Sequence, residues 1–182
     1  MCWWKKKKPS PGPSPTPTPG PPPAPPPSAL LHPEEPSDPT RTMANTSPAD
    51  LAATIQMWKN NYQVPVGQNV FWDTMHVELA AVAPAGGVAA TDCAGRQMWI
   101  EPAWMNPGVI AHEMSHYAYW QLTQKRKNAF ADLLSPLRIS DAAIMAIPNL
   151  NASDVEAYAD IYRYQGSNMP ESLKDFYKPY LF

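Results

Sequence analysis

Fifteen of the chain's 24 prolines fall within its first 40 residues, and that asymmetry divides the sequence in two. Proline fixes φ and removes a backbone donor, so no regular helix or sheet runs through Pro21-Pro22-Pro23-Ala24-Pro25-Pro26-Pro27. The stretch 9–40 is also too poor in large apolar side chains to bury a core. It should favour extended polyproline II and act as a stiff spacer. A head of this composition can also serve as a ligand for a proline-motif-binding partner of the SH3 or WW kind, or as a pro-segment. From about Ser47 onward Trp, Tyr, Met, Ile and Leu are spread throughout. The expectation is a disordered proline-rich head over 1–46 and one folded domain over 47–182. The roughly 135 residues of that domain suffice for one modest core.

Charge excludes one function class. The head carries five Lys/Arg against three Asp/Glu, and the remainder nine against thirteen, which together give the net charge of -2. A domain at -4 lacks the basic face of a nucleic-acid binder. The two cysteines, Cys2 and Cys93, fall one in the head and one in the domain, a placement that predicts no disulfide between them. No run reaches the roughly 18 apolar residues of a transmembrane segment. Lys5 to Lys8 form a basic cluster, but no apolar stretch follows, so no signal peptide is visible. Localisation stays unknown, although the Pro/Thr/Ser linker leans to secreted or cell-surface proteins. Asn151-Ala152-Ser153 matches a glycosylation acceptor, a weak signal at three residues.

Local signals place the elements. Ser47-Pro48-Ala49-Asp50 reads as an N-cap with Pro at the first helical position, and Leu51, Ile55, Trp58 and Tyr62 follow at helical spacing. This predicts a helix over 48–62. Strands are expected at 69–72, 76–82 and 96–100, punctuated by Pro84, Gly86-Gly87 and Gly95. Asn106-Pro107 opens a second helix, to about Thr123, apolar around most of its circumference and hence a core helix. Shorter helices are predicted over 128–134 and 140–146. Another starts at Ser153 and ends near Gly166, and a last one covers 168–180 with Pro170 at its start.

The core helix contains His112-Glu113-Met114-Ser115-His116. Positions i and i+4 project from one face, so both imidazoles can reach one ion. Glu113, one residue on, can approach water held by that ion, the HExxH arrangement of zinc peptidases. Two histidines and a glutamate inside an apolar helix would be costly without partners, and a divalent cation satisfies all three. The alternative is a pair of core histidines hydrogen-bonded to protein.

Catalytic zinc usually takes three protein ligands and a water. The extended pattern HExxHxxGxxH fails, because Tyr119 stands for the Gly and Leu122 for the final His. A downstream carboxylate is then the default, and Glu156 in Asp154-Val155-Glu156-Ala157-Tyr158-Ala159-Asp160 is the best placed. Asp160, four residues on, faces the same way and can accept the free N–H of a ligating histidine. Ser153-Asp154-Val155-Glu156 also fits a capping box, which would occupy Glu156 differently. Cys93 reads as buried and inert, with a lesser reading as ligand or inhibitory switch.

On these residues the sequence resembles the gluzincin metallopeptidases: His112-Glu113-x-x-His116, then Glu156-x-x-Ala159-Asp160 some forty residues later. The run Glu156-Ala157-Tyr158-Ala159-Asp160-Ile161-Tyr162-Arg163 looks most like the third-ligand helix of the anthrax lethal factor-like peptidases. The compact size is similar to that of minimal single-domain gluzincins. The resemblance implies an α+β, zincin-like fold, with a small twisted sheet of three or four strands packed with the HExxH helix and the glutamate-bearing helix. It implies one Zn2+ per chain on His112, His116 and Glu156, Asp160 behind a ligand, and Glu113 as catalytic base. It implies a protein or peptide substrate lying along an edge strand, taken as 76–82 or 96–100. That family places a transition-state-stabilising tyrosine shortly before the glutamate. Residues 147–151 contain none, which leaves Tyr158 or Tyr162, or else Tyr117 or His76. The expected function is therefore a zinc metalloendopeptidase, a hydrolase. The alternative is a non-catalytic metal-binding protein or a proline-rich interaction protein.

Overall fold

The computed structural model describes residues 2–4, 37–64, 73–81 and 87–181; of residues 2–4 and 179–181 it describes the backbone only. The fold is α+β. The elements run β1 (Cys2–Trp4), α1 (Pro48–Asn61), β2 (His76–Leu79), β3 (Ala89–Asp92), β4 (Gln97–Ile100), α2 (Pro107–Gln121), α3 (Gln124–Ser140), α4 (Ala142–Met145), α5 (Asp154–Gln165) and α6 (Glu171–Leu181). The four strands form one sheet in the order β1-β3-β4-β2. β1 and β4 are antiparallel to β3, and β2 is parallel to β4.

Local chemistry explains the helix ends. Ser47 and Asp50 form a reciprocal capping box at the start of α1. Asn106 caps α2 through its Oδ1, which accepts from the Val109 N–H at 2.9 Å, with Pro107 at the first helical position. α5 ends at Gly166, whose φ of 46° suits glycine. A Cβ there would also lie 3.4 Å from the Tyr62 ring. That ring anchors α1 to α5, because its hydroxyl donates to the Arg163 carbonyl at 2.7 Å in a buried setting.

α2 is the axle of the core, as its apolar circumference predicts. Every residue from Gly108 to Ala118 is buried. It packs against α5, α1, α6 and the β3 strand. A second aromatic group closes the far side: Phe130 of α3 meets Tyr119, Tyr158, Phe176 and Tyr177 in edge-to-face contacts.

Several expectations need correction. β3 was not foreseen, and the strand expected at 69–72 lies outside the described residues. β4 is paired on both sides, by β3 and β2, so it offers no edge. The helix expected at 128–134 is longer, α3 over Gln124–Ser140 with Pro136 inside it, and the one expected at 140–146 is the separate single turn α4. Thr123 is not the end of α2 but the cap of α3.

The expected head also joins the domain at both of its described parts. Residues 2–4 add a strand to the sheet. Ser37 and Arg41 reach back to the carbonyls of Ala103 and Met105, both at 3.1 Å. Cys93 is disulfide-bonded, and Cys2 is the chain's other cysteine, contrary to the expectation of no bridge. The strand pairing of β1 supplies the proximity that composition could not show.

Candidate metal centre

His112 and His116, four residues apart on α2, lie side by side on one face. Both are 1% exposed. Their rings meet edge to face, and their Nε2 atoms are 3.0 Å apart. Glu113 is fully buried on the flank next to β3. Its Oε2 accepts from the Thr91 hydroxyl at 2.9 Å. Its Oε1 has no hydrogen-bond partner among the described residues. The His112-Glu113-His116 group is a buried cluster that can hold a metal ion.

α5 brings up the carboxylates. Glu156 lies with Oε2 3.5 Å from His112 Nε2 and Oε1 3.8 Å from His116 Nε2. Its backbone N–H donates to Ser153 Oγ at 3.2 Å. The two readings of Glu156 are thus met by different atoms: the main chain takes the cap, and the side chain faces the histidines. Asp160 Oδ1 lies 2.7 Å from His112 Nδ1, the position of a carboxylate that orients a ligating imidazole. Arg163 Nη1 stands 4.0 Å from the same Oδ1.

The electrostatics describe a site built around a positive charge. Burial, the largest influence on His112, opposes its protonation, but Asp160, Glu156 and Glu113 outweigh it and lift the pKa to about 9. Burial and the neighbouring His112 push His116 down to about 3. Burial pushes the Glu113 carboxyl up to about 7. Glu156 is held below the usual range: its burial raises it, and the two histidines more than compensate. A protonated His112 donates from Nδ1 to Asp160 and from Nε2 to the lone pair of His116. The second proton stands where a shared cation would.

Metal uptake should therefore release that proton. At pH 8 Glu113 is already mostly ionised and His112 still protonated, given pKa values of about 7 and about 9. Calorimetric titration with zinc, repeated in buffers of different ionisation enthalpy, should report close to one proton released per ion.

The expected site residues divide cleanly. His112, Glu113, His116, Glu156 and Asp160 converge. Tyr158 and Tyr162 do not join them. The Tyr158 hydroxyl donates to the Phe176 carbonyl at 2.9 Å, and its ring stacks on Tyr177. The Tyr162 ring lies against Tyr62 and Tyr177. Both expected stabilisers belong to the aromatic core, because they project from α5 on the sides away from Glu156. Tyr117 is buried and stacks on Trp120. His76 is on β2, which β4 separates from β3. Sequence reasoning missed Thr91 and gave Arg163 no role. Arg163 was readable as the i+3 partner of Asp160, whereas nothing local links Thr91 to Glu113. No family model, curated protein or solved structure gives a significant match to this chain.

Proposed function

We propose that this chain is a zinc-dependent endopeptidase of zincin-like fold, with His112, His116 and Glu156 as the metal ligands. One observation carries the reading. The two histidine Nε2 atoms are 3.0 Å apart, and the Glu156 carboxylate faces both, with Oε2 3.5 Å from His112 Nε2 and Oε1 3.8 Å from His116 Nε2. A tetrahedral ion with bonds of about 2.0–2.1 Å requires neighbouring ligand atoms roughly 3.3–3.4 Å apart. Imidazole and carboxylate donors suit zinc, and three of them leave one position for water. The partnerless Oε1 of Glu113 points to chemistry rather than storage, since a buried carboxylate oxygen without a donor is costly.

When bound, zinc would supply a Lewis acid for the scissile carbonyl and bring the pKa of its water toward about 7. The protein's own residues do the rest. Asp160 accepts the Nδ1–H of His112 and so keeps the Nε2 lone pair aimed at the site. Thr91 fixes Glu113 by one oxygen. The other oxygen takes the proton of the attacking water and returns it to the leaving amine as the C–N bond breaks. A peptide would bind extended along a strand. The strand beside Glu113 is β3, while the free edge of β2 lies across β4 from it. The bridge on Cys93 suits an oxidising compartment, which supports a secreted or cell-surface setting.

A second reading, metal binding without hydrolysis, draws on the location of Tyr158 and Tyr162 in the core. The purified chain, stripped with a chelator and reloaded with zinc, decides between the two. Cleavage of unfolded casein should vanish on stripping and return on reloading. A chain that holds one zinc and cleaves nothing, in oxidising or reducing buffer, would leave the metal-binding reading.

A further inference from the structure

β1 occupies the one edge of β3 that β4 leaves open. Its register is antiparallel, with Cys2 opposite Thr91, Trp3 opposite Ala90 and Trp4 opposite Ala89. Thr91 is the residue whose hydroxyl holds Glu113. The backbone of Cys2 therefore lies about one strand spacing, roughly 4.8 Å, from the sheet residue that contacts the HExxH glutamate. β1 also contacts α2 itself. Cys93 follows directly on β3, is 1% exposed and is disulfide-bonded, and the sequence offers Cys2 as its partner.

Peptide capture by strand addition needs unpaired N–H and C=O groups on the receiving strand. On β3 those groups are already used. We propose that residues 2–4 form an inhibitory strand, latched by the Cys2–Cys93 disulfide, that covers the peptide-binding edge beside the metal centre. The proposal rests on the peptidase reading for its biological meaning and on the β1–β3 pairing for its physical content. Held in the same molecule, the segment competes at an effective concentration in the millimolar range, far above that of a free peptide. A dithiol reductant opens the latch. It attacks one sulfur, passes through a mixed disulfide and leaves as its own cyclic disulfide. Each cysteine gains one electron and one proton. The freed strand can then leave β3, and an external peptide pairs in its place.

The test separates the latch from catalysis. Zinc-loaded full-length chain carrying Glu113→Gln is compared with the Glu113→Gln, Cys2→Ser double variant, and with the single variant in excess dithiol. Capture of fluorescently labelled casein peptides is read by anisotropy, and backbone exchange over residues 89–92 by hydrogen-exchange mass spectrometry. Opening the latch should speed exchange in β3 and tighten peptide capture by about tenfold, as expected when a tethered competitor is released. The dithiol arm keeps the test valid if the serine variant folds poorly. Unchanged exchange or unchanged capture on opening would overturn the proposal. Improved capture, beside an unmutated chain that cleaves no casein in any redox state, would uphold the latch and remove only the peptidase reading.

Discussion

A Glu113→Gln chain should keep its zinc and lose hydrolysis, with kcat falling by about a hundredfold to ten-thousandfold, the usual contribution of a positioned base. The substitution is nearly isosteric, and the amide oxygen can still accept from Thr91, whose hydroxyl lies 2.9 Å from the native carboxylate. What disappears is a carboxylate oxygen such as Oε1, which has no hydrogen-bond partner among the described residues. KM should move little, because a general base acts on the transition state rather than on ground-state binding. Folding should not suffer. Burial already lifts the Glu113 carboxyl to about 7, so the native protein tolerates a charge there that the amide does not carry. Metal content by mass spectrometry, beside the rate on casein, reads both halves of the expectation. Loss of metal together with activity would make Glu113 a ligand. Retention of both would remove it from the mechanism.

How legible this arrangement was in the sequence depended on the distance over which each feature is decided. Ser47, Asn106 and Ser153 announced their helices because a cap is settled within four residues. The same locality exposed His112 and His116, whose relation is one helical turn. Glu156 and Asp160 were readable as a pair on one face, and their meeting with His112 follows from the packing of α5 on α2. β3 was hidden because Ala89-Ala90-Thr91-Asp92 has little of the β-branched and aromatic character of a strand. It is a strand because β1 and β4 pair with it on either side. Thr91 was therefore invisible as the partner of Glu113. The helix expected to stop at 134 runs on as α3 through Pro136, with Ser140 Oγ donating back to the Pro136 carbonyl at 2.9 Å.

Glu156→Ala should weaken zinc binding by more than the roughly tenfold to hundredfold typical of losing a residue that only orients a ligand. The Glu156 carboxylate faces both imidazoles, with Oε2 3.5 Å from His112 Nε2 and Oε1 3.8 Å from His116 Nε2, and the variant removes it. The two imidazoles alone leave two positions of a tetrahedral ion to water. The helix itself should be untouched. The cap on Ser153 uses the Glu156 backbone N–H at 3.2 Å, which alanine retains. Alanine is also the best helix former at such a position. Unfolding of the stripped protein should thus lose only the attraction between this carboxylate and the protonated His112, while the stabilisation conferred by added zinc should be largely lost. A capping role would give the opposite pattern, with lower stability of the stripped protein and an unchanged response to zinc. The two measurements together tell whether the carboxylate of Glu156 serves the metal or the fold, a choice that the sequence left open.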